Sequence, residues 1–205
     1  MPDPSTLTTH RLILRALRVA DADDLFPTFA DRETMRFFGD RHASVTVTRA
    51  LFDHVITGAE ASSSLQWAIR TRLEGAERSR TIGGISLNAI VGGTARMGFI
   101  LSKEHHGRGY ATEAVGAAVA FGFNDVGLHR ITLHIDPDNT ASRRVAGKLG
   151  FSQEGRMRES FPIGNGFRDE LVFGLLAREW NAAAPSLRRG GDPSAFVQRD
   201  RALGP

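Results

Sequence analysis

The chain contains no cysteine, so it has no disulfide, no thiolate nucleophile and no thiolate metal site. It lacks any apolar run of membrane-spanning length, and its opening MPDPSTLTTH lacks the basic-then-apolar plan of a secretory leader. Neither sign of charge dominates: 26 basic against 23 acidic side chains give a formal +3, although the sequence pI is about 10.1. The two signs are interspersed, without the contiguous basic stripe of a nucleic-acid binder. Repeats are absent too. These absences exclude a disulfide scaffold, a membrane-spanning helix and a nucleic-acid module. They leave a soluble cytoplasmic protein as the expectation, its charges read as a solvated surface or, alternatively, as a mildly positive cleft that attracts an anionic cofactor.

What is present suits one domain: 205 residues, 41% hydrophobic and 24% charged, enough to bury a core without staples. Residues 1–10 are polar and read as a flexible lead, 11–181 as the domain, and 182–205, rich in Pro, Gly and Arg, as a mobile tail. Alternating apolar positions predict strands over Arg11–Leu17, Gln66–Arg70, Thr81–Ile90, Ala95–Leu101 and Arg130–Ile135, with further strands from Phe151 and over Glu170–Ala177. In the third of these, Ile85, Leu87 and Ala89 share a face; in the fourth, Met97, Phe99 and Leu101 do. Gly92-Gly93 makes those two strands a hairpin, and the charged segment TRLEGAERSR (71–80) reads as another hairpin connection. Helices are expected over Ala20–Ala30, capped by Asp21, and over Val47–Ala59. Another runs over Ala111–Asn124, with Ala111, Val115, Ala118, Val119 and Gly122 on one face. A last one begins at Asn139 behind a cap at Asp138 and ends at Gly150. The result is an α+β domain with a mostly antiparallel sheet and helices on its faces.

The chemistry concentrates in HHGRGYATEA (105–114), where a strand ends, the chain turns through Gly107-Arg108-Gly109 and a helix starts. Glycines bring the backbone close to a ligand and permit positive φ, while free N–H groups and the helix dipole favour a diphosphate. Arg108 adds a cation at the rim. Strand–glycine turn–helix also describes P-loop and Rossmann sites, but no Gly-Lys-Ser/Thr closes this turn and the Rossmann glycine spacing is absent.

GFILSKEHHGRGYATEA, HRITLHIDPDNTASRRVAGKLGFSQEG and a closing EW resemble the GNAT superfamily of N-acetyltransferases. The likeness is to the branch holding the Rim-type (ribosomal-protein N-terminal) enzymes, and with TTHRLILRAL and TIGGISL it spans roughly residues 8–180. The resemblance implies acetyl-CoA as acetyl donor, an amine acceptor, no metal, a homodimer as the assembly to consider, and a sheet with one splayed pair of central strands. The family's diphosphate loop, Gln/Arg-x-x-Gly-x-Gly/Ala, becomes His106, Gly107, Arg108, Gly109, Tyr110 and Ala111, with Thr112 following; His106 replaces the usual Gln/Arg. The strand through Phe99, Ile100 and Leu101 would flank the pantetheine arm, Gly98 would suit a bulge there, and backbone N–H groups at Phe99–Leu101 would meet the acyl oxygen. Asn139 matches an asparagine that reaches the pantetheine, and Ser142 matches a serine beside the departing sulfur; helix capping is the other use of both.

An attacking amine must be neutral. An α-amino group, with a pKa of about 7.7–8.0, is already partly so near neutrality, whereas a lysine at about 10.4 is not. Acetylation of a protein or peptide N-terminus by direct attack is therefore the leading expectation. A small amine such as a polyamine or aminoglycoside, favoured by an acidic cleft, is the second, and a non-catalytic acyl-CoA-binding module the third. Ser142 is the candidate acid for the thiolate. Glu159, in a loop after the last helix, is the candidate base, with Glu104, Glu113 and Asp169 as alternatives. His105 and His106 read as a base, a metal pair or polar turn residues, and no carboxylate-histidine motif supports the metal. Phe37 and Phe38 are candidates for gripping the acceptor, core packing being their other use. Trp67 and Trp180 are expected in or near the core.

Overall fold

The computed structural model describes residues 4–58, 63–72 and 80–181. Most of the expected connection over 71–80 and the whole expected tail fall outside these residues. In chain order the elements are β1 (Leu7–Thr8), β2 (Leu12–Ala16), α1 (Ala22–Ala30), α2 (Arg32–Met35), α3 (Val45–Thr57), β3 (Leu65–Thr71) and β4 (Thr81–Val91). There follow β5 (Thr94–Leu101), α4 (Tyr110–Asn124), β6 (Arg130–Ile135), α5 (Thr140–Lys148), β7 (Ser152–Ile163) and β8 (Gly166–Leu176). The strands form one sheet in the order β1-β2-β3-β4-β5-β6-β8-β7. Every pairing is antiparallel except β5–β6, which the crossover through α4 makes parallel.

That parallel pair places the site. β5 and β6 are paired from Thr94–Arg130 to Met97–Leu133 and no further. Beyond this point β5 continues to Leu101 against β4, and β6 continues to Ile135 against β8. The two central strands therefore splay, as the family likeness implied.

Strand alternation assigns the two faces. Met97, Leu101, Leu133 and Ile135 pack with Val115 and Val119 of α4 and Ala146 and Leu149 near α5 in the main core. On the other face Ile100 joins Leu25, Phe29, Met35 and Phe52 beneath α1–α3. Trp67 is fully buried, its ring edge-on to Phe121 at 5.6 Å, its Nε1 donating to the Ser5 carbonyl, and Trp180 is also in the core.

Several local expectations change. Leu7 and Thr9 are buried and Leu7–Thr8 pairs with β2, so the lead is ordered from there on: Leu7 is an apolar side chain the core accommodates, and the Thr9 hydroxyl donates to Leu12 and Glu113. Ala89 is exposed rather than aligned with Ile85 and Leu87, because its φ of 49° lies where the β4–β5 register shifts. Helix α4 is buried around its whole circumference from Glu113 to Phe123, since its alanines and glycines let neighbours close in on every side. Asp21 holds the N-cap position of α1 but makes no side-chain cap hydrogen bond. Its carboxylate is buried and accepts from Arg15, the Arg18 N–H and the Thr81 hydroxyl. The cap of α5 is Asn139, not Asp138. The short helix α2, capped by Asp31 accepting from the Thr34 N–H, was not anticipated.

Candidate active site

The turn between β5 and α4 has the backbone that its glycines allow. Gly107 (φ 74°) and Gly109 (φ 81°) are both left-handed, and Gly109 is the cap residue of α4. A Cβ on Gly107 would meet nothing within 4 Å, so the space above the turn is open to a ligand. The turn is tied down by His106, whose Nε2 lies 2.8 Å from the Leu101 carbonyl and donates to it. This is what histidine does in place of the usual Gln/Arg: it pins the loop to the end of β5. His105 is half-buried, and burial holds its pKa below the usual histidine value.

A cleft of about 430 Å³ runs from this turn along the splayed strands. Its walls bring together Phe99, Ile100, Leu101, His106, Gly107, Gly109, Tyr110, Ala111 and Thr112 with Asn139 and Ser142. Arg108 is exposed on the same turn. Across the cleft, Arg144 and Lys148 of α5 supply two more cations.

Alternation along β5 decides which backbone groups face the slot. The Ser102 N–H donates to Ile82 of β4, so Ile100, two residues earlier, also turns its backbone toward β4. Phe99 and Leu101 turn theirs the other way, into the gap that β6 leaves. The expected run of donors at Phe99–Leu101 is thus two, not three, and Ile100 contributes its side chain alone. Gly98 stands opposite Ser86 with no register shift, so it is the point where the β5–β6 ladder parts rather than a bulge.

On α5 the Asn139 side-chain oxygen accepts from the Ser142 N–H at 3.1 Å. This cap leaves the Asn139 amide NH2 for a ligand and fixes Ser142 in the first helical turn at the cleft wall. At the far end of the cleft Phe37 and Phe38 are both present, with Glu33, Thr34, Arg36 and Lys103. The Arg36 guanidinium lies over the Phe37 ring at 4.4 Å, and Lys103 pairs with Glu33.

The candidate base Glu159 is not brought into this cleft. It lies within β7, not in a loop, at a φ of 50° where the register slips between Met157 and Phe161; its N–H donates to Asp169. The alternatives are also engaged or remote. Asp169 is held below its usual pKa by that N–H and by Arg156, Glu104 is exposed, and Glu113 is buried under Arg11. Among the described residues no group of three His, Asp or Glu side chains is placed to hold a metal ion.

Sequence reasoning missed Arg11. Its Nε and NH2 grip Glu113 at 2.7 Å each, its NH1 donates to the Arg108 carbonyl, and its guanidinium covers the Tyr110 ring at 4.7 Å. It thus ties the N-terminal strands to the glycine turn and neutralises a buried carboxylate in the first turn of α4. A lone acid at Glu113 would oppose an anionic ligand. The only signal was the arginine in TTHRL, which contacts a residue about a hundred positions away.

Residues 11–152 match the family described as the acetyltransferase (GNAT) domain. The uncharacterized N-acetyltransferase p20 of Bacillus licheniformis is 29% identical over 178 residues, covering 85% of this chain and 98% of that one. RimJ of Mycobacterium smegmatis, solved with CoA-disulfide, superposes with a TM-score of 0.77 at 24% identity over 91% of this chain and 95% of its own. Spermidine N-acetyltransferase of Vibrio cholerae, solved with CoA and spermine, gives 0.70 at 23% identity over 83% of this chain and 98% of its own.

Proposed function

Since the chain belongs to the GNAT family of acetyltransferases and is similar to its Rim-type branch, we propose that it acetylates the α-amino group of a protein or peptide. That it is an acyltransferase follows from the family. The acceptor is the new statement, and one observation carries it. At its acceptor end, beside Phe37 and Phe38, the cleft wall holds one carboxylate, Glu33, against two cations, Arg36 and Lys103, and Glu33 is already paired with Lys103. A polyamine carrying several positive charges gains nothing from such a wall, whereas a peptide N-terminus presents a single amine.

The residues suit acetyl-CoA. The open space over Gly107 and the N–H groups at the start of α4 fit a diphosphate, with Arg108, Arg144 and Lys148 as cations, and the splay between β5 and β6 fits the pantetheine arm. When bound, acetyl-CoA supplies an activated thioester. The backbone N–H groups of Phe99 and Leu101 stabilise negative charge on the acyl oxygen. Asn139 orients the arm, Ser142 gives its hydroxyl proton to the sulfur as the C–S bond breaks, and Phe37 and Phe38 contact the acceptor's apolar groups.

The test is competition. Acetyl-CoA with an equimolar panel of N-terminal peptides, an Nα-blocked lysine peptide, spermidine and an aminoglycoside should give acetylated α-amines, located by mass spectrometry. A kcat/KM tenfold higher for spermidine than for every peptide would overturn the acceptor assignment and leave the acetyltransferase intact.

A further inference from the structure

On the face of the sheet that carries α1–α3, the fork between β5 and β6 holds a cluster of polar side chains. His134 directly follows Leu133, the last β6 residue paired with β5. Its neighbours Leu133 and Ile135 enter the core beneath α4, so its own side chain projects to the opposite face, with Arg96 of β5 and Glu170 of β8. Glu170 is buried and held from two sides, accepting from Arg96 at 2.8 Å and from the Ser160 hydroxyl at 3.0 Å. The His134 ring is 17% exposed, and its Nδ1 lies enclosed 3.5 Å from the second Glu170 oxygen.

We infer that His134, oriented by Glu170, is the general base that takes the proton from the acceptor amine. The inference rests on the acyl-transfer reading above. The cofactor loop and α5 lie on the α4 side of the fork, so an acceptor reaching the acyl carbon comes from the other side. His134 stands on that face at the fork, behind the residues that line the cleft, and takes the proton through one water. Nδ1 makes no hydrogen bond but has Glu170 as its charged neighbour at 3.5 Å, which favours the tautomer with the proton on Nδ1 and the lone pair on Nε2. Arg96 and Ser160 hold Glu170 in place, so that it orients the ring and steadies the imidazolium. Burial, reinforced by Arg96 and opposed by Glu170, holds the His134 pKa below the usual histidine value, so the base form prevails at neutral pH. Of the charged groups flanking the cluster, Arg168 pairs with Asp136, and Arg130 with Glu154.

The step balances. The uncharged amine nitrogen forms the C–N bond to the acyl carbon and its proton passes through the water to Nε2 of His134. The C–S bond breaks, the sulfur takes the Ser142 proton, and the His134 proton returns to the Ser142 oxygen through solvent. The products are an amide and a free thiol. No other group need be supplied.

The experiment compares wild type, His134→Gln, His134→Ala and Glu170→Gln for peptide acetylation between pH 5 and 9, alongside acetyl-CoA affinity by calorimetry and melting temperature. His134→Gln should lower kcat about a hundredfold with acetyl-CoA affinity within twofold, and imidazole should restore part of the His134→Ala rate. Glu170→Gln should fall less and shift the acidic limb of the kcat profile. In the wild type, the NMR titration midpoint of His134 should coincide with that limb; this holds even where a variant folds poorly. A His134→Gln enzyme within twofold of wild type, a limb that does not follow His134, or a limb that disappears in Glu159→Gln instead, would overturn the inference while the acetyltransferase stands. A wild type that binds acetyl-CoA yet acetylates no primary amine would overturn both.

Discussion

Single residues in this cleft carry two duties, and the variants that separate them are the informative ones. Asn139 caps α5 by accepting from the Ser142 N–H, and both residues also face the slot. Removing the hydroxyl in Ser142→Ala leaves the capping N–H untouched. The melting temperature should therefore hold, while kcat falls roughly ten- to a thousandfold and acetyl-CoA affinity barely moves, because sulfur becomes charged only as the C–S bond breaks. Stopped-flow turnover and a thermal melt on one preparation decide it; unchanged turnover would make water the proton donor. Arg11 is the converse case, structural in its contacts and functional in its position. Arg11→Met leaves the Glu113 carboxylate without its cation. It should cost about 2 kcal/mol of stability and weaken acetyl-CoA binding at least tenfold. Adding Glu113→Gln should recover the stability. Binding as strong as wild type in Arg11→Met would show that the guanidinium does not govern the turn.

At the scale of elements, the glycine turn and α4 act as one unit. Gly109 has a left-handed backbone and would place a Cβ 3.3 Å from Arg11, so any side chain there strains the turn. Gly109→Asp adds a negative charge as well, and the dissociation constant for acetyl-CoA should rise tenfold or more, about 1.4 kcal/mol. Calorimetry showing no change would move the diphosphate elsewhere. This turn was legible because it is contiguous: ten residues hold the strand end, the glycines and the helix start. The hairpin at Gly92-Gly93, the Gly150 stop after α5 and the alternation of β4 through β6 are local in the same way. What escaped depends on distant pairings. Periodicity gives α4 one apolar face, but alanine and glycine are small enough to be buried anywhere, so only tertiary packing shows it enclosed. The strand from Phe151 was legible but not its reach: its first eight residues are exposed and mostly polar, and pairing with β8, not its own pattern, carries it on through Glu159, which reads as a loop. Glu159 was misplaced with it, and the His134–Glu170 pair stayed hidden because two strands bring together residues 36 positions apart.

Over the whole molecule, these enclosed polar groups set how the protein responds to acid. His42 stacks on Phe29 at 4.8 Å with its Nδ1 on the Thr48 hydroxyl, and burial lowers its pKa, as it does for His105 and His134. Groups whose folded values are depressed bind fewer protons folded than unfolded. Their stabilising effect is full above the unfolded histidine value of about 6.5 and is lost as pH falls through the folded values. Asp21 follows the same rule at lower pH. Burial raises its pKa, but hydrogen bonds from Arg15, the Arg18 N–H and Thr81 outweigh this and leave it lowered, so its contribution disappears only below about 4. The melting temperature should therefore be level above about pH 7, decline as the histidines protonate between about 6.5 and 5, and drop again below about 4 as Asp21 releases Arg15. Replacing His42 with glutamine should make the first decline shallower, His105 and His134 still contributing, and leave the second unchanged, since its ring packs on Phe29 and Thr48 and makes no contact with the Arg15–Asp21 pair. Melting curves every half unit of pH would show this, and a melting temperature that stays constant from pH 6.5 to 5 would mean that the buried histidines gain protons without cost to the fold.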